Sequence, residues 1–267
     1  MEIRNQLSKI YLLAAYATIM LTAACTKYNP DTKSTILPVI ESYLVPGQPI
    51  VVKLSQQKEL TDTAVYGAPI KGAKVYLSNQ TEKVLLTESS AGTYTYANQA
   101  FLVAGKTYSL QFDYSGYSVS ASTVMPAKPL NFASLSNFIF LPTNNSPGNM
   151  NTVLNTFTWQ NPDSLNHVLA FKALDLVTSV NNFSNTRPIN TQFNTNRAAL
   201  YNVTANMFAY KGNYKVILLR VNQEYINLLN NNTRTSSQDL TQIPTNIVNG
   251  FGIFTAMQAD TLAVTIN

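Results

Sequence analysis

Residues 107–124 read TYSLQFDYSGYSVSASTV. Tyr108, Leu110, Phe112 and Tyr114 fall on one face of an extended chain, and Thr107, Ser109, Gln111 and Asp113 on the other. After Ser115 and Gly116 the alternation resumes, with Tyr117, Val119 and Ala121 set against Ser118, Ser120 and Ser122. Side chains of a strand alternate between its two faces, so this pattern predicts an antiparallel hairpin with one apolar face. An isolated hairpin is at best marginally stable in water, so the apolar face has to close against a second layer.

Toward the N-terminus the same signals recur. Ala73, Val75 and Leu77 alternate, Val84–Leu86 follow a polar turn at Asn79–Glu82, and Gly92 precedes a short aromatic strand around Tyr94. Leu37–Leu44 and Ile50–Leu54 add two more extended runs. About seven short strands with turns between them predict a β-sandwich of immunoglobulin or transthyretin type over residues 35–126. Pro126 and Pro129 then bracket a linker.

Toward the C-terminus, Phe132–Leu141 is followed by a loop rich in Pro, Asn and Gly at Pro142–Asn151, then by strand-like runs at Val153–Trp159 and Val168–Leu176. A long polar loop, Thr178–Arg197, leads to Leu200–Val203 and a strong strand at Tyr214–Val221. Tyr225, Leu228 and Leu229 have helical spacing, which suggests one or two helical turns over Glu224–Leu229. Asn246–Ile266 reads as two more strands, with Gly250 and Gly252 marking a bulge or a close backbone approach. Residues 130–267 are therefore expected to form a second, fibronectin-like sandwich, with Trp159, the single tryptophan, packed between its sheets. The predicted fold class is all-β, two sandwiches in series.

The first residues follow a different logic. Arg4 and Lys9 precede an uncharged apolar run, Ile10–Leu21, and the small residues Thr22, Ala23 and Ala24 stand just before Cys25. This is the order of an export signal, its hydrophobic region and its cleavage site. About a dozen apolar residues fall short of the ~20 that a membrane-spanning helix needs, so residues 1–24 are expected to be removed as a signal peptide. The pattern resembles a lipobox, with Thr22 where Leu is commoner, and the Cys25 sulfur would receive the diacylglycerol. An exported chain with one cysteine has no partner for an internal disulfide, which agrees with that use. Several acyl chains hold a protein far more firmly than one. Residues 25–34, polar and interrupted by Pro30, read as a tether.

Removing residues 1–24 takes away Arg4, Lys9 and Glu2 and leaves 16 basic and 12 acidic residues. These are scattered, so the footprint of a nucleic-acid binder is missing. Charged residues make up 12% of the chain against the usual ~25%, and Asn, Thr, Ser and Gln take their place. With 45% hydrophobic residues, 15 Tyr and 12 Phe, the chain has enough apolar matter for one large or two modest cores.

Candidate chemistry is sparse. His167 is the single histidine and would have to serve any Ser-His-Asp or Cys-His site; its place after the Asp163–Asn166 turn predicts a surface or turn role. Ser55 and Lys58 match the S-x-x-K spacing without the companion motifs. Gly250 and Gly252 begin a G-x-G with no third glycine, on a strand rather than a strand-to-helix turn. Glu59 with Asp62, and Asp163 with Asp175, are the acid pairs a glycoside hydrolase could draw on, and they read more simply as solvated loop charges. Asp163 and Asn166 lack the acidic spacing of a calcium loop, and a zinc site built from several His or Cys ligands has no residues to draw on. No catalytic residue, cofactor or metal is predicted. Tyr66, Phe183, Phe193, Phe208 and Tyr210 are aromatics that the alternation does not assign to a core, and exposed aromatics can anchor an interface.

Read in order, the lipobox, PVIESYL (38–44), IKGAKVYLSN (70–79), GTYTY (92–96), AGKTYSLQF (104–112), FTWQNPDS (157–164), YKVILLRVNQEYINLL (214–229) and IPTNIVNGFGIFTA (243–256) resemble a family of uncharacterised Bacteroidota outer-membrane lipoproteins, classed as a domain of unknown function. The resemblance implies an anchored two-domain β-protein, often encoded beside TonB-dependent receptors, with no catalytic residues to transfer. Only Cys25 carries over. The expected function is a non-enzymatic binding or accessory module for a TonB-dependent transporter at the outer membrane, on either its periplasmic or its surface side. The alternatives are a surface adhesion or envelope-assembly protein and a two-carboxylate glycan hydrolase.

Overall fold

The computed structural model describes residues 36–58, 66–142, 151–179, 188–232 and 245–267. The expected signal peptide 1–24, Cys25, the tether 25–34, Glu59, Asp62 and Phe183 lie outside the described residues.

In chain order the strands are β1 (Pro38–Leu44), β2 (Ile50–Gln56), β3 (Tyr76–Ser78), β4 (Lys83–Leu85), β5 (Thr87–Ser90), β6 (Thr93–Tyr96), β7 (Thr107–Tyr114), β8 (Tyr117–Val124) and β9 (Leu130–Ser134). They continue as β10 (Phe138–Ile139), β11 (Val153–Gln160), β12 (His167–Ala173), β13 (Thr178–Ser179), β14 (Thr191–Asn194), β15 (Leu200–Thr204), β16 (Tyr210–Val221), β17 (Ile247–Val248) and β18 (Phe251–Ile266). One α-helix among the described residues, α1 (Gln223–Asn232), follows β16. The chain is all-β apart from this helix and short 3-10 turns, as its alternation predicts.

The hairpin at 107–124 forms with unbroken register from Thr107↔Val124 to Tyr114↔Tyr117. Ser115 and Gly116 both take positive φ, 49° and 83°, the turn whose twist matches that of two paired strands. Tyr108, Leu110 and Phe112 are buried with Val119 and Ala121, and Tyr114 packs at the margin.

Three sheets result. The largest runs β14-β12-β16-β18-β1-β2-β6-β5, with β10 beside β18 and β13 beside β16. A five-stranded sheet, β17-β8-β7-β3-β4, closes over β1, β2 and β6 to make one core, and a three-stranded sheet, β15-β11-β9, closes over β12, β16 and β18 to make another. The fold is thus two β-sandwiches that share their larger sheet.

That sharing changes the division expected near Pro126. Ile247, Phe254 and Ala256, from the C-terminal segment, belong to the first core. The two strands expected in Asn246–Ile266 are the two-residue β17 and a single 16-residue strand, β18. β18 pairs in parallel with β1 from Val39↔Phe251 to Leu44↔Ala256, and antiparallel with β16 from Val221↔Met257 to Gly212↔Ile266. Phe254 and Ala256 point into the first core, Val264 and Ile266 into the second; all are even-numbered and so share one face. Residues 36–267 form one compact unit. Without β18, β1 would expose a long unpaired edge, which sheet proteins avoid.

On the opposite face α1 covers part of the sheet. Ile226 is buried with Val168, Val221 and Met257, and Tyr225 and Leu229 pack beside them. The helix is longer than the one or two turns expected, and the polar run Thr178–Arg197 contains β13 and the edge strand β14, where Phe193 is the apolar residue.

Candidate functional site

The most densely connected polar group lies where the two sandwiches meet. β16 stops pairing with β18 at Met257 and turns away as α1, so among the described residues the edge of β18 before that point has no strand on this side. Side chains take its place. Asn246 Oδ1 accepts from the Phe254 amide (3.1 Å) while its Nδ2 donates to the Phe254 carbonyl (2.6 Å). Thr123 Oγ1 accepts from the Ala256 amide (3.2 Å), and Asn222 Nδ2 donates to the Ala256 carbonyl (3.3 Å) and to the Val124 carbonyl (2.8 Å). Buried backbone groups need partners, and three side chains supply what a strand otherwise would.

Glu224, in the first turn of α1, closes the group. Its Oε1 accepts from the hydroxyls of Thr123 (2.8 Å) and Thr255 (3.1 Å), both on buried residues. Thr123 also accepts from Asn222 Nδ2 (2.9 Å), so its one donor and two acceptor sites are all used. Beside it opens a cleft of about 280 Å³ lined by Gln223, Glu224, Asn227, Thr245 and Asn246. Its lining offers amides, a hydroxyl and one carboxylate. Among the described residues its lining has no second acid and no histidine to complete a proton-transfer pair.

His167 is placed differently from the surface or turn role expected of it. It is 1% exposed and stands at the start of β12 on the same face as Leu169 and Phe171, both buried in the second core. Nδ1 lies 3.0 Å from the Leu165 carbonyl. A carbonyl only accepts, so this nitrogen carries the proton and Nε2 is an acceptor. Among the described residues neither Nε2 nor the Nε1 of Trp159, whose ring centroid is 5.7 Å away, has a hydrogen-bond partner. Burial pushes the imidazole pKa down; the Leu165 contact opposes this, and Arg220, opposite in register, adds to it. The donor bond to a carbonyl, rather than to a carboxylate, is not the geometry of a catalytic triad. Trp159 is buried in the second core, as its strand position predicts.

The remaining candidates are structural. Ser55 sits in β2 opposite Val39 and bridges to Pro69, and Lys58 follows the end of that strand. A Cβ on Gly252, whose φ is +101°, would lie 2.0 Å from the Ile40 carbonyl oxygen, and one on Gly250 would lie 3.0 Å from the Pro38 oxygen. The two glycines therefore let β18 approach β1, one of the two roles expected of them. Asp163 precedes β12 and Asp175 follows it, so the strand's seven residues hold them apart by about 20 Å, beyond the ~5–9.5 Å that glycoside hydrolysis uses. Among the described residues no three metal-ligating side chains converge, and no helix is long and apolar enough to cross a membrane.

The aromatics separate into two groups. Phe208 is buried against Phe171, and Phe193 packs against the second core and stacks on Tyr201 at 5.6 Å; Tyr210 opens β16. Tyr66 is 65% exposed and lines a groove of about 270 Å³ with Val39, Pro69 and the ion pair Lys53–Glu41 (3.7 Å). Further along β1, the Tyr43 hydroxyl pKa is pushed up to about 12 by burial, with Glu41, Tyr225 and Tyr66 adding to the effect. The sequence reading passed over Phe138 and Phe140, 53% and 68% exposed and stacked on each other. They flank the buried Ile139 in an unbroken apolar run, FIFL, which hides their outward alternation.

The family described as "Domain of unknown function (DUF4249)" matches residues 26–263. The chain belongs to that family. Its match takes in every strand described above except the last three residues of β18. No curated protein matches the chain. Among solved structures, the crystal structure of chicken CNTN1 FN1-FN3 domains is similar at 10% identity, with 86% of this chain and 67% of that one covered and a TM-score of 0.28.

Proposed function

We propose that this DUF4249 chain is a lipid-anchored outer-membrane lipoprotein of the Bacteroidota type, working without enzymatic activity as a binding or accessory module for a TonB-dependent transporter. The observation that carries the reading is the N-terminal order: Arg4 and Lys9, an apolar run, three small residues and Cys25. The family match begins at residue 26, directly after that cysteine, which is where a mature lipoprotein's conserved body would start. Residues 1–24 are then the signal peptide, Cys25 the lipid attachment site and residues 25–34 the tether. The wide separation of Asp163 and Asp175, and the structural use of Glu224, His167, Gly250 and Gly252, support a binding rather than a catalytic role.

Cells supplied with labelled palmitate should label the wild-type chain and leave Cys25→Ala unlabelled; equal labelling would end the lipid assignment. Tagged chain purified from mildly solubilised outer membranes should bring a large β-barrel transporter with it in equal amount. Recovery of the chain alone refutes the transporter partnership. It favours the second reading, a surface adhesion or envelope-assembly spacer, which draws support from the strand β18 that stiffens both sandwiches into one body.

A further inference from the structure

Three stretches of chain meet at the end of the first sandwich where β1 and β18 begin. Ile36 stands two residues before β1, and the Gln57 amide donates to the Leu37 carbonyl, so the pairing of β1 with β2 runs down to this level. The turn between β17 and β18 lies beside it. β18 opens at Phe251, opposite Val39, and a Cβ on Gly250 would lie 3.0 Å from the Pro38 oxygen. The turn between β7 and β8 is the third stretch: Asn249 Nδ2 donates to the carbonyl of Ser118 (2.8 Å), the residue after Tyr117.

Each stretch leaves one large apolar side chain exposed here: Ile36, Val248 and Tyr117. Tyr117 keeps the parity of Val119 and Ala121, which are buried in the first core, and Tyr114 opposite it packs at the margin of that core. The apolar face of the hairpin therefore runs on past the point where the core ends. Val248 is the last residue of β17 before its turn. Single exposed apolar residues are ordinary on any protein surface, and what distinguishes these three is where the chain comes from. Ile36 lies 11 positions after Cys25, a length that spans at most about 40 Å.

We propose that this end of the first sandwich rests on the lipid bilayer in which Cys25 is anchored, with Ile36, Tyr117 and Val248 at the boundary between headgroups and acyl chains. The inference rests on the lipid-anchor reading above and adds an orientation to it. Tyrosine, with an apolar ring and a polar tip, is enriched at that boundary. A short connection holds its free end at an effective concentration of about millimolar, so a contact too weak to bind a free protein to a membrane is populated once the chain is anchored. Charge does not oppose the approach. Asp113, one row above the turn opposite Ser118, shares a depression with Lys74, Glu41 pairs with Lys53, and Lys58 follows the end of β2. The other exposed aromatic pair, Phe138 and Phe140, is at the far end. Phe138 pairs with Thr265, roughly 45 Å further along β18 than Phe251, so β18 rises from the membrane and carries that pair away from it.

The test uses the acylated chain in vesicles of phosphatidylethanolamine and phosphatidylglycerol. Cys25 is the single cysteine and its sulfur carries the lipid, so Tyr117→Cys, Val248→Cys and Phe140→Cys each add one free thiol for a polarity-sensitive dye. Lipids brominated high on the acyl chain quench a dye held at the interface. Dye at 117 and at 248 should lose about half of its emission or more, and dye at 140 almost none. Adding Tyr117→Ser should cut the quenching at 248 by about half or more, which separates a contact made by the protein from one made by the dye. These side chains are exposed, and circular dichroism checks that each variant is folded.

If the chain floats with the vesicles while dye at 117 and 248 is quenched no more than dye at 140, this inference is overturned and the anchor reading stands. If Tyr117→Ser leaves the quenching at 248 unchanged, the contact belongs to the dye and the inference is overturned as well. A blue shift at 117 that grows with the ratio of protein to lipid, without quenching by bromine, overturns it by assigning this end to a second copy of the chain. A chain that floats no better than Cys25→Ala overturns the anchor reading, and this inference with it.

Discussion

Replacing Thr123 by Val removes one hydroxyl and leaves the shape of the side chain almost unchanged. In the native joint that hydroxyl accepts from the Ala256 amide and from Asn222 and donates to Glu224. The amide belongs to a fully buried residue, and leaving a buried donor unpaired costs about 1–3 kcal/mol, with about 1.5–3 kcal/mol for a bond to a charged group. Glu224 keeps Thr255, and Asn222 keeps the Val124 and Ala256 carbonyls, so part of the loss is absorbed. The expected net destabilisation is about 3 kcal/mol, equivalent to a fall in melting temperature of roughly 6–12 °C for a chain of this size. Thr255→Val removes one bond to Glu224, so about 1.5 kcal/mol is expected. Urea unfolding of the two variants compares them, provided the slope of the transition is unchanged, and hydrogen exchange at the Ala256 amide localises the effect. If Thr123→Val costs no more than Thr255→Val, or if Ala256 keeps its protection, then side chains are not standing in for a strand at this edge.

Two further outcomes are expected. His167 is buried and its folded pKa lies below the ordinary 6.5, so the unfolded chain takes up a proton at higher pH than the folded one. Its contribution to stability is present above about pH 6.5 and is lost as pH falls through the folded pKa. His167→Gln should flatten the difference in urea midpoint between pH 7.5 and 5.5, and an unchanged difference would show that this side chain is not its source. Gly252→Ala should cost about 3 kcal/mol or more, since the new methyl would meet the Ile40 carbonyl in a left-handed backbone. Gly105→Ala has φ of +79° but open space around it and should cost about 1–2 kcal/mol. Equal melting points for the two glycine variants would refute the close approach of β18 to β1.

What the sequence made legible was local. The 107–124 hairpin is set by its own alternation and by Ser115-Gly116, so its inward face could be named from the alternation except at the turn, where Tyr117 is 47% exposed. Partners more than a hundred residues apart leave no such trace. Nothing in the alternation of PVIESYL names residues 251–256 as its neighbour, and the polar stretch Gln258–Thr261 makes one strand read as two. His167 shows a signal that was present and outweighed. Its spacing from Leu169 and Phe171 is that of an inward residue, yet the adjoining turn suggested the surface. Of the candidate functional positions, Cys25 rests wholly on sequence. The Thr123–Glu224 joint depends on side chains 101 positions apart.

The shared strand also sets how the protein would answer a pull. Tension applied through Ile36 runs along β1, and the six residue pairs joining β1 to β18 lie across that direction. Their hydrogen bonds are then strained together in shear instead of being peeled one at a time. β18 hands the force on to β16, past both cores, to the far tip where Phe138 sits. A chain held at one end by its tether and at the other by a partner would thus behave as a single stiff link, with neither sandwich stretched apart before the other.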